Sequence, residues 1–178
     1  MDHSEAQEID QQFAFMQTVR HSLEVLEEIG FEFDLIDDQE QEWMLIALGD
    51  TEIGRVRIAI GIHEQSGQWM MVAYHPLVIV STLRPSASEL MMRINQNMII
   101  GNWELDWDTG AVRVRTGTVF LGRALPKIEV QSLIETVLYA LYEHHTVLIQ
   151  SLFDGIPPAD LILEELSEES SDSEEPHK

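Results

Sequence analysis

Val56, Ile58, Ile60 and Ile62 alternate with Arg55, Arg57, Ala59 and Gly61 without a break. A period of two belongs to a β-strand with one buried face and one open face. The run therefore demands a sheet with something apolar laid against one side of it. Three helical patterns can supply that cover. In the first, Ile9, Phe13, Met16, Val19, Leu23 and Leu26 recur at three- and four-residue steps. Ser4 and Gln7 are spaced as a reciprocal cap before them, and Gly30 offers a left-handed stop after them. The second pattern begins after Pro85, where Ser86 and Glu89 repeat the capping spacing. It carries Leu90, Ile94 and Met98 on one side and ends at Gly101. The third runs from about Pro126 to Leu152, with Val130, Leu133, Ile134, Val137, Leu138, Leu141, Leu148, Ile149 and Leu152 as its stripe.

Further strand runs are Phe31–Ile36, Trp43–Leu48 and Trp69–Ile79, and Trp103–Trp107 with Ala111–Thr116 reads as a hairpin. The order α-β(3–4)-α-β(2)-α predicts a two-layer α+β fold, an antiparallel sheet with helices packed on one face. A chain of 178 residues, 44% hydrophobic, suits one domain with a real core. We place that domain at residues 1–153 and an acidic tail at 154–178. Gly155 and Pro157-Pro158 break the chain, and Asp160–Leu166 allows a helical turn or two. Ser167–Lys178 has too little apolar matter to offset the entropy of ordering, so disorder is expected there. In the hairpin, setting Trp107 opposite Val112, Leu105 opposite Val114 and Trp103 opposite Thr116 keeps the apolar residues on one face. That register pairs Glu104 with Arg115 and Asp106 with Arg113.

Ten Lys and Arg stand against 32 Asp and Glu, a net charge of −22. Such a field repels nucleic acid and anionic lipid and favours cationic partners. The absence of cysteine removes disulfides, thiolate chemistry and Cys-based metal sites, and suits the cytoplasm. The start, Met1-Asp2-His3-Ser4-Glu5, has neither the basic nor the apolar part of a signal peptide. The longest apolar stretch, Trp69–Leu83, is interrupted by His75-Pro76 and falls short of the roughly 20 residues a spanning helix needs. We expect a cytoplasmic protein that binds neither membrane nor nucleic acid.

Asp108-Thr109-Gly110-Ala111 copies the aspartic-protease signature, with Leu121-Gly122 as a faint second element. The chemistry requires two aspartates sharing a proton. Here Asp106 stands where an apolar residue belongs, the second element follows after too few residues to close a β-rich protease subunit, and a long helix comes after it. A hairpin turn accounts for all four residues, because Asp and Gly are turn formers. Asp106, Asp108 and Gly110 also resemble the start of a calcium loop, but Thr109 and Thr116 stand where acidic ligands are required. His144 and His145 are adjacent and would point about 100° apart on a helix. His145 falls on the apolar stripe and reads as a hydrogen-bonded core residue, while His63 and His75 lack a carboxylate pattern. With no phosphate loop, no Gly-x-Ser-x-Gly and no His-Glu-x-x-His, we expect no enzyme, no metal and no cofactor.

Three stretches carry a family resemblance. Gly30-Phe31-Glu32-Phe33 follows the first helix. Ile94-Asn95-Gln96-Asn97-Met98-Ile99-Ile100-Gly101-Asn102-Trp103-Glu104-Leu105 leads the second helix into a strand. Val112-Arg113-Val114-Arg115 precedes the long helix. Over roughly Ile9 to Phe153 the chain resembles the YbjN family of bacterial proteins. The resemblance implies a fold similar to the type III secretion chaperones, which are acidic, often dimeric and bind extended client segments without chemistry. For the YbjN branch it implies a regulatory role.

The leading expectation is thus a chaperone-like or adaptor protein that binds a protein client or forms a homodimer. The alternatives are an acidic decoy for a cationic partner and a small-molecule sensor domain. A surface can also be named. In Trp43–Leu48 and Trp69–Tyr74 both alternating sets are apolar, so one set from each strand must face away from the core. Trp43, Leu45, Trp69 and Met71 are the expected outward, partner-binding set.

Overall fold

The alternating run becomes the strand from Gly54 to His63, and its Val56, Ile58, Ile60 and Ile62 are completely buried. Around it the computed structural model, which describes residues 3–38 and 42–162, builds a six-stranded sheet. In chain order the elements are α1 (His3–Glu28), β1 (Glu32–Asp38), β2 (Glu42–Thr51), β3 (Gly54–His63) and β4 (Gln68–Val78). They continue as α2 (Arg84–Asn95), β5 (Asn102–Leu105), β6 (Ala111–Val119), α3 (Lys127–Glu143), α4 (His145–Ile149) and a π-helical turn at Gln150–Asp154. The strands lie in the order β1-β2-β3-β4-β6-β5, every neighbouring pair antiparallel. This is the expected α+β architecture, with four strands before α2. Leu90 of α2, Ile134, Val137 and Leu141 of α3 and Leu26 of α1 join the β3 side chains in one apolar core.

α1 ends as its glycine requires. Gly30 sits at φ 78°, and Phe31 N–H donates to the Leu26 carbonyl at 2.9 Å. Its buried face differs from the expected stripe. Ile9, Phe13 and Met16 are exposed, while Phe15, Thr18, Val19, Ser22 and Val25 are buried beside Leu26. The reason is two hydroxyls that belong to the core. Thr18 and Ser22 donate back to the Ala14 and Thr18 carbonyls at 2.8 and 2.9 Å. The Thr18 oxygen then accepts from Leu125 N–H at 3.0 Å, and the Ser22 oxygen accepts from the Trp69 indole at 3.0 Å. A pattern that counts only apolar residues misses such a face. The expected cap at Ser4 and Gln7 lies outside the described side chains.

Three further expectations are corrected. Ser86 and Glu89 form no capping box. Leu83 precedes α2 with no side-chain cap, Ser86 lies against Ser151, and Glu89 pairs with Arg93. The long third helix is broken at His144, whose Nδ1 donates back to the Ala140 carbonyl at 3.0 Å, so α4 starts afresh. Leu161 and Ile162 are buried, and Ile162 belongs to the core cluster, so packing runs nine residues past the expected boundary at 153. Ser167–Lys178 lies outside the described residues.

Candidate functional site

Antiparallel partners share a face of the sheet, so the register of β3 assigns its neighbours. Leu45 and Met71 both stand opposite Ile60, and Trp69 stands opposite Ile62. They must point where the isoleucines point. Leu45, Trp69 and Met71 are 0%, 1% and 0% exposed. Three of the four residues expected to face outward, Leu45, Trp69 and Met71, are therefore core, and their parity is reversed. Trp43 pairs with Ile62 in the ladder, but its side chain lies outside the described ones. The turn Glu52-Ile53 between the partners Thr51 and Gly54 fixes this register, and a two-residue hairpin loop was the signal that could have revealed it.

The face opposite the helices carries the other parity, in rows that cross the strands. One row runs Leu48, Arg57, Tyr74, Arg113, Glu104, and the next runs Ile46, Ala59, Val72, Arg115. A third runs Met44, Gly61, Met70, Gly117. Met44 and Met70, 47% and 38% exposed, flank Gly61, and Leu48, 38% exposed, lies four residues along β2 on the same face, with no helix of the described residues packed on that side. Ala59 and Gly61 are small, so the middle of the face is sunken. The result is a groove of about 410 Å³ walled by Met44, Ile46, Met70 and Val72, with arginines at one end. A second depression of about 330 Å³ adjoins it over Gly117.

The basic end is organised by two partners. Glu104 accepts from Arg113 at 2.8 Å and from Arg115 at 2.7 Å. Burial works against the charge on Arg113, but Glu104 and Tyr74 together hold its pKa above the usual value. The Arg57 guanidinium stacks on the Tyr74 ring, 4.0 Å from its centroid.

The hairpin beside this end has the expected face but not the expected pairs. Trp103 stands opposite Val114, Glu104 opposite Arg113 and Leu105 opposite Val112, a shift of two residues. The shift arises because Asp106 is in the turn. Its Oδ1 accepts from the backbone N–H groups of Asp108 and Thr109, each at 2.9 Å, and these bonds lower its pKa. Gly110 completes the turn at φ 78°, where a Cβ would collide with the Ile79 carbonyl oxygen. The Asp-Thr-Gly sequence is thus explained by chain reversal. Asp106→Ala should lower the melting temperature measurably, and Asp108→Asn, which removes no acceptor, should leave it unchanged in a calorimetric scan. Equal losses from both would mean that Asp108 also holds the turn.

A second cluster lies within the helix layer. His75 is 5% exposed in the irregular stretch between Tyr74 and Val78. Its Nδ1 accepts from Leu77 N–H at 3.1 Å, which leaves the proton on Nε2 in the neutral ring. That Nε2–H donates to His145 Nδ1 at 3.0 Å, tying β4 to the first residue of α4. Burial first, and His145 second, lower the His75 pKa to about 4. The Trp103 ring lies 6.1 Å from His75 and from His144, and its indole N–H has no partner among the described residues. His145 is the hydrogen-bonded residue expected, and the involvement of His75 was not foreseen. No three histidine or acidic side chains gather as a metal site among the described residues.

No helix among the described residues is long and apolar enough to cross a membrane. No protein-family profile matches the chain, and no curated protein matches it. Its coordinates are similar to the crystal structure of YbjN from E. coli, at 13% identity and a TM-score of 0.47, over 72% of this chain and 91% of that one.

Proposed function

We propose that this chain is a non-enzymatic adaptor, chaperone-like in action, that holds a protein client on the open face of its sheet. One observation carries the reading. Met44 and Met70 stand exposed on either side of a sunken floor at Ala59 and Gly61, on a face that the described helices leave bare. Exposed apolar patches of this kind mark contact sites. Unbranched methionine side chains can repack around clients of different shape. The role is regulatory or protective, and the binding energy comes from desolvating the patch, not from the −22 net charge.

That distinction gives the test. Partners are captured from the native host on wild-type protein and on a Met44→Asp/Met70→Asp double variant, at low and at high salt. The expected result is a partner that survives about 1 M salt on the wild type and is lost from the variant at both salts. A partner lost from both proteins at high salt would favour the acidic decoy instead. Light scattering on the same pair separates a client from a second copy of the chain. Only a homodimer would dissociate in the variant without added partner.

A further inference from the structure

We infer that the groove selects a client segment bearing a carboxylate two residues away from an apolar side chain. This rests on the proposed function and specifies the client's chemistry. The first ground is charge. The chain has 32 acidic residues against 10 basic ones. Yet the groove is walled by Arg57, Arg113 and Arg115, with no carboxylate among its described lining residues. An anionic group is repelled by the net charge of the molecule and attracted by these arginines, which makes the preference local.

The second ground is availability. Arg113 and Arg115 are both engaged by Glu104. Arg57 has a face stacked on Tyr74 and pairs with no carboxylate among the described residues. Stacking engages a face of the guanidinium and not its edge, and the edge N–H groups are the ones that receive a carboxylate by two parallel bonds. The third ground is spacing. Arg57, Ala59 and Gly61 follow one another on the open face of β3 at two-residue steps, about 6.7 Å apart. An extended segment laid along β3 presents its own side chains with the same period. A carboxylate over Arg57 therefore places the next two inward side chains over Ala59, between Ile46 and Val72, and over Gly61, between Met44 and Met70. Those positions accept apolar groups because the floor there is a methyl group and a bare backbone.

Gly61 also supplies the means of testing. A Cβ at Gly61 meets nothing nearer than His63 Nε2 at 3.9 Å, so a larger side chain rises into the groove without entering the core. The experiment measures fluorescence anisotropy of three labelled ten-residue peptides in a Ser/Thr background. One carries Glu, Leu and Leu at two-residue steps, the second has Lys for the Glu, and the third has Ser for both Leu. The first should bind wild-type protein at least about tenfold more tightly than either control. Arg57→Met should weaken the first peptide by about tenfold and leave the Lys peptide unchanged. Gly61→Leu should abolish binding of the first while the melting temperature stays put. If Gly61→Leu proves misfolded by circular dichroism, the exposed Arg57→Met variant still decides. Equal binding of the Glu and Lys peptides, both blocked by Gly61→Leu, would overturn the carboxylate inference and leave the proposed function standing. Failure of the Glu peptide to bind at all also overturns it. A folded Gly61→Leu variant that binds every peptide and the captured client normally removes both readings.

Discussion

Trp69→Ala should lower the stability of the domain by about 4 kcal/mol, the usual cost of removing a large aromatic from a packed core. Trp69 is 1% exposed, and its indole N–H donates to the Ser22 hydroxyl at 3.0 Å, so truncation leaves both a cavity and an unpaired buried oxygen. Natural domains have only about 5–15 kcal/mol in total, so the variant stands near the edge of unfolding at room temperature. Met70→Ala, one residue along on the opposite face, should cost less than about 1 kcal/mol. Urea unfolding of the two variants side by side is the measurement. If Trp69→Ala costs as little as Met70→Ala, the assignment of faces made from the register is wrong.

Acidification should cost nearly as much through a single ring. The His75 pKa is lowered to about 4 in the folded protein, from 6.5. Between those values the unfolded chain binds a proton that the folded chain refuses. The folded state therefore has its full stability above about pH 6.5 and loses it as the pH falls towards 4. The integrated loss is about 3 kcal/mol, with about 2 kcal/mol already gone at pH 5. Carboxylates titrate in part of this range, so the His75→Phe variant serves as the reference. Its stability difference from wild type, measured by urea unfolding, should shift in the variant's favour by about 2 kcal/mol between pH 7 and pH 5. A pH-independent difference would show that His75 is not held neutral by the fold.

The two experiments bear on what could be read before the structure. The alternation in β3, the other apolar runs and the turn residues were enough for an antiparallel sheet and for the succession of elements along the chain, with three or four strands left open before α2 and the order within the sheet unread. In β2 and β4 both parities are apolar, so hydrophobicity alone could not tell Leu45 from Met44 or Trp69 from Met70. The choice is made by pairing with Ile60 and Ile62, and pairing is a property of two strands and the turn between them. The same holds for α1, where Thr18 and Ser22 look like surface residues until Leu125 and the Trp69 indole are placed beside them. The groove was legible only as an outward apolar surface on β2 and β4, expected on the parity of Leu45, Trp69 and Met71 and found on that of Met44 and Met70. Its basic end needed Arg57 and Arg113 to be brought together through Tyr74, from strands far apart in sequence.

α2 is tied at both ends to the hairpin that follows it. At its start Arg84 donates to the Ile79 carbonyl at 3.2 Å and also to the Trp107 carbonyl, across the hairpin turn. At its end Asn95 takes the place of a missing strand. Its Oδ1 accepts from Trp103 N–H at 2.7 Å and its Nδ2 donates to the Trp103 carbonyl at 3.0 Å. Ile79 N–H closes the circuit on the Gly110 carbonyl at 2.8 Å. The segment from Ile79 to Ala111 is thus a loop closed by hydrogen bonds. It is expected to exchange its amides as one cooperative unit, with Trp103 and Ile79 opening at a common rate. Glu104, which fixes the arginines of the groove, sits inside it, so loosening α2 on one side of the sheet should loosen the arginines on the other.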